Sequence, residues 1–159
     1  MNFKNREESR SRRLLYDLLM TANSTYWSIN KSLCDQSGST DKKTGLWSSL
    51  ASLHQELKAA HALSYTVEDT GVGWPTEIHK LLQTNDERSG YPSDLVTAML
   101  EQAEALSLVL CRSCVGSRNT FPADEDAVNA LLCSIRLLVA QAIDAVSNQL
   151  MENKMKNAA

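Results

Sequence analysis

Four groups of side chains in this sequence are capable of chemistry. The first is Cys111-Arg112-Ser113-Cys114. A Cys-x-x-Cys pair can hold half of a zinc site or run thiol exchange. Zinc needs two further ligands, and the chain has neither a second such pair nor a His pair close by. The redox version opens a helix, where the helix dipole favours the thiolate. Here the pair falls at the end of a helical pattern, where the dipole has the opposite sign. Both cysteines are therefore expected to be structural, and no metal or other cofactor is expected.

The second group is His54 and His61, with Trp47 and Tyr65. On a wheel of about 100° per residue both histidines fall on the same face as Leu50 and Leu57. Seven residues separate them, about 10 Å along a helix axis, too far for one metal to bridge. They are expected to be partly buried and hydrogen-bonded, or to line a ligand pocket with Trp47 and Tyr65. The third group is Glu101 and Glu104. Paired acids at this spacing occur in all-α magnesium-dependent nucleotide pyrophosphohydrolases, but those need a second acidic pair on the next helix. The wheel puts both glutamates opposite Met99, Leu106 and Leu110, toward water. Asp124-Glu125-Asp126 reads as an acidic helix start. The fourth, Gly71-Val72-Gly73, lacks the lysine and the strand–helix setting of a phosphate loop. No catalytic residue is assigned, and the chain is not expected to be an enzyme.

These residues sit in four long periodic segments. The first runs from about Arg6 to Leu33, with Leu14, Leu15, Leu18, Ala22, Tyr26, Ile29 and Leu33 inward. A polar loop covers residues 35–41. The second runs from about Leu46 to Tyr65, with Leu46, Leu50, Leu53, Leu57, Ala60 and Ser64 in heptad register. Residues 67–91 form an irregular connector in which Pro75 to Gln83 could make a short helix. The third segment starts at Pro92-Ser93-Asp94 and ends near Gly116, with Leu95, Met99, Gln102, Ala103, Leu106, Val109 and Leu110 inward. The fourth runs from about Asp124 to Asn153, along Val128, Leu131, Leu132, Ile135, Leu138, Val139, Ala142, Val146 and Leu150.

The expected architecture is all-α: a single domain over residues 1–159, with four amphipathic helices in an antiparallel bundle and a short connector helix. Residues 1–5 and 154–159 are expected to fray. Three prolines and six glycines, mostly between the segments, argue against a many-turned β fold.

Composition narrows the partners. A net charge of −3 gives no global attraction for nucleic acid. Lys4, Arg6, Arg10, Arg12 and Arg13 crowd the start of the sequence, and read as a solvated first stretch of helix. Asp17, Arg136 and Asp144 interrupt the apolar runs, so no membrane span is expected. With no export signal read in Leu14-Leu15-Tyr16-Asp17, the four cysteines are expected to be reduced and the compartment cytoplasmic.

A further pattern concerns surfaces. Tyr16, Met20, Asn23, Trp27, Asn30 and Cys34 follow steps of 4, 3, 4, 3 and 4, roughly opposite the inward stripe. Between Ala127 and Val146 only Arg136 and Asp144 are charged, and Ala130, Cys133, Leu137 and Ala140 point outward. Two helices thus carry surplus apolar surface, covered either by the Val67–Gly90 connector or by another chain. The expected function is a non-enzymatic interaction or regulatory protein. It would self-associate as a homodimer, or dock on a protein partner, through Tyr16, Met20, Asn23, Trp27, Cys133 and Leu137. The alternative is a small-ligand-binding bundle using Trp47, His54, His61 and Tyr65. Circular dichroism should show a helix-dominated spectrum; a substantial sheet signal would overturn the fold expectation.

Overall fold

A computed structural model of the chain describes residues 3–34, 40–67, 95–115 and 125–158. Of these, 97% are helical, in four helices packed against each other. They are α1 (Phe3–Cys34), α2 (Thr40–Ser64), α3 (Leu95–Val115) and α4 (Glu125–Ala158). Each packs closely on two neighbours, in the cyclic order α1–α2–α3–α4–α1, and the backbones of the diagonal pairs stay apart.

The helices form because each carries an apolar seam in steps of three and four, the spacing that keeps side chains on one face. On α1 the buried seam is Leu15, Leu19, Ala22, Tyr26 and Ile29. On α2 it is Leu46, Leu50, Leu53, Leu57 and Ala60. Val96, Leu100, Ala103 and Leu110 serve α3, and Val128, Leu132, Ile135, Val139, Ala142 and Val146 serve α4. A basic residue stands in the last turn of each helix (Lys31, His61, Arg112 and Lys156) beside the carbonyl-rich end.

The seams meet in two stacked clusters. One joins Tyr26 and Ile29 to Leu50, Leu53 and Leu57, to Leu110, and to Leu132 and Ile135. The other joins Leu15 and Leu19 to Ala60, Val96, Leu100, Ala142 and Val146. Leu138 and Ile143 pack against both, so one core runs through the bundle. Val67, just past α2, is buried in the second cluster. The backbone amides of Thr66 and Val67 bond back to the carbonyls of Leu63 and Ser64.

The inward stripes read from sequence need adjustment. Leu14 is 49% exposed, and its expected place is filled by Leu19. On α3, Gln102 and Val109 face out while Val96 and Leu100 are buried. Along most of their length the helices bury one stripe, but at the start of α3 the consecutive residues Val96, Thr97, Ala98, Met99 and Leu100 are all buried, so the helix is covered on every side there and the expected stripe was too narrow. Thr40 and Asp41 belong to α2 rather than to a loop. The connector helix expected over Pro75–Gln83, the Pro92-Ser93-Asp94 start and the Gly116 cap lie outside the described residues.

The charges of α4 between its first and last turns are too sparse to break its apolar character. Over Asp126–Lys156 it is long and apolar enough to cross a membrane by length and composition, contrary to the expectation that Arg136 and Asp144 would prevent this. The core helix of a soluble bundle passes the same test.

The seams can be ranked by substitution. Leu53→Ala empties a fully buried site and should destabilise the fold by about 2–5 kcal/mol. Leu14→Ala should change stability by less than about 0.5 kcal/mol. Urea unfolding midpoints distinguish the two, and equal effects would contradict the seam described here.

Candidate functional site

The residues with chemical potential occupy two places: a polar seam between α2 and α3, and an outward face shared by α1 and α4. On the seam, His61 Nδ1 lies 2.5 Å from Glu104 Oε2 and His54 Nδ1 lies 2.9 Å from Ser107 Oγ. Thr97 Oγ1 donates to Ser64 Oγ at 3.0 Å, and the Cys111 thiol donates to the Leu50 carbonyl at 3.3 Å. Both serines are committed to their own helices. Ser64 Oγ donates to the His61 carbonyl at 2.6 Å, and Ser107 Oγ to the Glu104 carbonyl at 2.7 Å.

That commitment fixes the proton positions. A hydroxyl has one proton to give. Ser107 spends it on a carbonyl, so it accepts from His54, which must carry its proton on Nδ1. An ionised Glu104 can only accept, so His61 also donates from Nδ1. In the neutral ring this leaves His61 Nε2 as a lone pair, and that atom is buried without a hydrogen-bond partner. The Tyr65 ring sits 5.2 Å away, tilted by 46°. A carboxylate behind an imidazole is how a catalytic base or a metal-bound histidine is oriented. Here the outer nitrogen faces packed protein, and among the described residues no group of three or more His, Cys, Asp or Glu could hold a metal ion.

The four residues expected to line a pocket are therefore divided. His54 and His61 are half-buried at the α2–α3 boundary, each with a partner. Trp47 and Tyr65 are exposed, Tyr65 by 64%. Glu104 corrects the expectation from the wheel: it does not turn to water but closes on His61, while Glu101 is exposed. The wheel locates a side chain relative to its own helix, and a neighbouring helix can still cover the flank. Of the Cys-x-x-Cys pair, only Cys111 has a described side chain.

A second partly buried carboxylate was not anticipated. Glu56 Oε1 accepts from Thr25 Oγ1 at 3.0 Å across the α1–α2 boundary. Its Oε2 is buried with no hydrogen-bond partner. Burial raises the Glu56 carboxyl above its ordinary value, and the Thr25 bond opposes this only in part. A glutamate beside Leu57 on a heptad flank carries no sequence signal for this, because its burial depends on where α1 lies.

On the outward face, Trp27 is 45% exposed and Met20 is exposed beside it on α1. Tyr16, Asn23 and Asn30, in the same register, are half-buried. Across the α1–α4 boundary the Arg136 guanidinium lies over the Trp27 ring, 4.5 Å from its centroid. The Tyr26 ring meets Trp27 edge-on, with centroids 5.5 Å apart. Cys133 and Leu137 are exposed on α4, Leu137 by 58%. Of the expected interface residues, Met20, Trp27, Cys133 and Leu137 thus meet solvent, while Tyr16 and Asn23 are flanking positions. Arg136 is the functional candidate that sequence reading treated only as an interruption.

No protein-family model, no curated protein and no solved structure matches this chain.

The raised Glu56 carboxyl makes a signed prediction. A group whose native value is raised binds more protons in the folded state, so its contribution is complete below its unfolded value and is lost as pH rises through the native one. Wild-type stability should therefore decline, through this group, as pH rises from about 4.5 through the raised value. In Glu56→Gln that component should vanish. Parallel wild-type and variant curves of unfolding midpoint against pH would refute it.

Proposed function

We propose that this chain is a non-enzymatic helical interaction protein, with a regulatory or adaptor role, that uses the outer face of α1 and α4 to bind another protein chain. The observation that carries this reading is the Trp27–Arg136 contact. It joins an exposed tryptophan on one helix to an exposed, charge-poor strip on its neighbour. Tryptophan and arginine are among the residue types most enriched at interface anchors. Met20, Cys133 and Leu137 extend the same surface. Only 33% of the most apolar stretch of α4 is buried within the bundle, so much of that stretch has no cover from the other three helices.

The bundle that presents this face is proposed to be antiparallel, in up-down-up-down order. Its support is the run of contacts between α2 and α3: Leu50 with Cys111, His54 with Ser107, His61 with Glu104, and Ser64 with Thr97. One number rises as the other falls. Between α1 and α4, Trp27 pairs with Arg136, while Leu15 and Leu19 share a cluster with Ala142 and Val146. A cytoplasmic setting fits the exposed thiol of Cys133, which would be a liability in an oxidising compartment.

Trp27→Ala tests the face. If it binds another chain, the substitution should weaken association by about 2 kcal/mol or more, the range for a central aromatic anchor, with the helical spectrum retained. A lowered melting temperature with unchanged mass in solution would instead mean that the chain's own connector covers Trp27.

A further inference from the structure

The charges on the outer arc of α4 have a pattern that identifies a partner. Within about 40° of Ala140 on the helical wheel, α4 carries four charged residues. They are Asp126, Arg136, Asp144 and Lys154, all exposed. Arg136 and Asp144 stand four residues either side of Ala140, and Asp126 and Lys154 fourteen either side. Each pair is opposite in sign. Inverting the helix about Ala140 therefore sets every charge against its complement.

An isologous interface requires this property, because a twofold axis brings residue i of one copy against residue j of the other, and j against i. A parallel pairing of the same arc would set Arg136 against Arg136 and Asp144 against Asp144. Ala140 lies at the centre and Cys133 close to it, both exposed and small enough for two helices to approach closely. The α1 side of the face obeys the same axis. Trp27 is level with Arg136. Met20 lies seven residues back along α1, about 10 Å, and Asp144 eight residues on along α4, about 12 Å. In the antiparallel bundle these travel in the same direction.

Resting on the α1–α4 face described above, we propose that its partner is a second copy of this chain, joined by a twofold axis beside Ala140. Arg136 then pairs with Asp144 of the other copy, Asp126 with Lys154, and Trp27 packs on Met20, each contact made twice. Arg136 can serve both contacts, since a guanidinium stacks through its face and donates through its edge.

The test is charge exchange read by sedimentation equilibrium. Arg136→Asp and Asp144→Arg should each weaken the dimer by about tenfold or more. An equimolar mixture of the two variants should associate again. In a mixed pair the introduced aspartate of one copy meets the introduced arginine of the other, and the native Arg136 and Asp144 that remain meet each other. A chain carrying both substitutions should recover as well. Ala140→Cys should form a reducible covalent dimer on mild oxidation. Cys133 should not cross-link to its counterpart, being about 21 Å away along the axis. All of these sites are exposed, and circular dichroism verifies that each variant folds. A wild type that stays monomeric would overturn the second copy as partner and leave the face itself to the Trp27→Ala melting result. A dimer that Trp27→Ala weakens, but that mixing does not restore and Ala140→Cys does not trap, would overturn the twofold register and keep the face. A dimer indifferent to every substitution would overturn both.

Discussion

Everything in this structure depends on four apolar seams sharing one interior. Each seam is built mainly of leucine, isoleucine, valine and alanine in three- and four-residue steps, and each helix brings its backbone close to two others. Burial of apolar surface is worth roughly 25 cal/mol per Å², and here it is collected along the whole length of the bundle rather than at a single centre. A helix in such a ring buries one stripe over most of its length, and α3 is covered on every side only over Val96, Thr97, Ala98, Met99 and Leu100. Any apolar surface beyond that stripe has no place inside, and α4 has such a surplus from Ala130 through Ala140.

Against that apolar interior, the α2–α3 boundary stands out as polar. Ser64 and Ser107 each bond back to a carbonyl three residues earlier and accept a hydrogen bond from the facing helix. A serine used this way presents an acceptor at a fixed height, so the facing Thr97 or His54 has one favourable register. His61 and Glu104 add a charge-assisted contact. Such pairs add little to stability when set against an apolar replacement, and their stronger effect is to make misaligned pairings costly through unsatisfied polar atoms. These hydrogen bonds link α2 to α3 at successive levels along the boundary. Glu56 does the reverse at the α1–α2 boundary, where one carboxylate oxygen is buried without a partner and burial opposes its ionisation.

The outer face follows from the same economy of surface. Arg136 is the one cation in the middle of α4, and it lies on Trp27 instead of extending alone into water. That contact ties α1 to α4 on their solvent side. It leaves Trp27 partly exposed, with Met20 exposed on α1 and Leu137 exposed on α4.

The sequence by itself determined the helices and most of their inward residues, because a three-and-four periodicity is a property of one segment and needs no neighbour to be read. The seam of α2 stood out in full for that reason, and that of α4 in all but Ala145. It also determined that Trp27 and Met20 share a face, since their seven-residue separation is close to two helical turns. Tertiary structure decided what each flank meets. Leu14 and Leu19 are equally apolar, and only the position of the adjoining helices exposes one and buries the other. Glu104 looked solvent-facing on its own helix until α2 placed His61 beside it. Arg136 was a break in an apolar run until α1 set the Trp27 ring beneath its guanidinium. Side chains on the flank of a helix are assigned by the neighbour that reaches them, and that neighbour comes from a distant part of the chain.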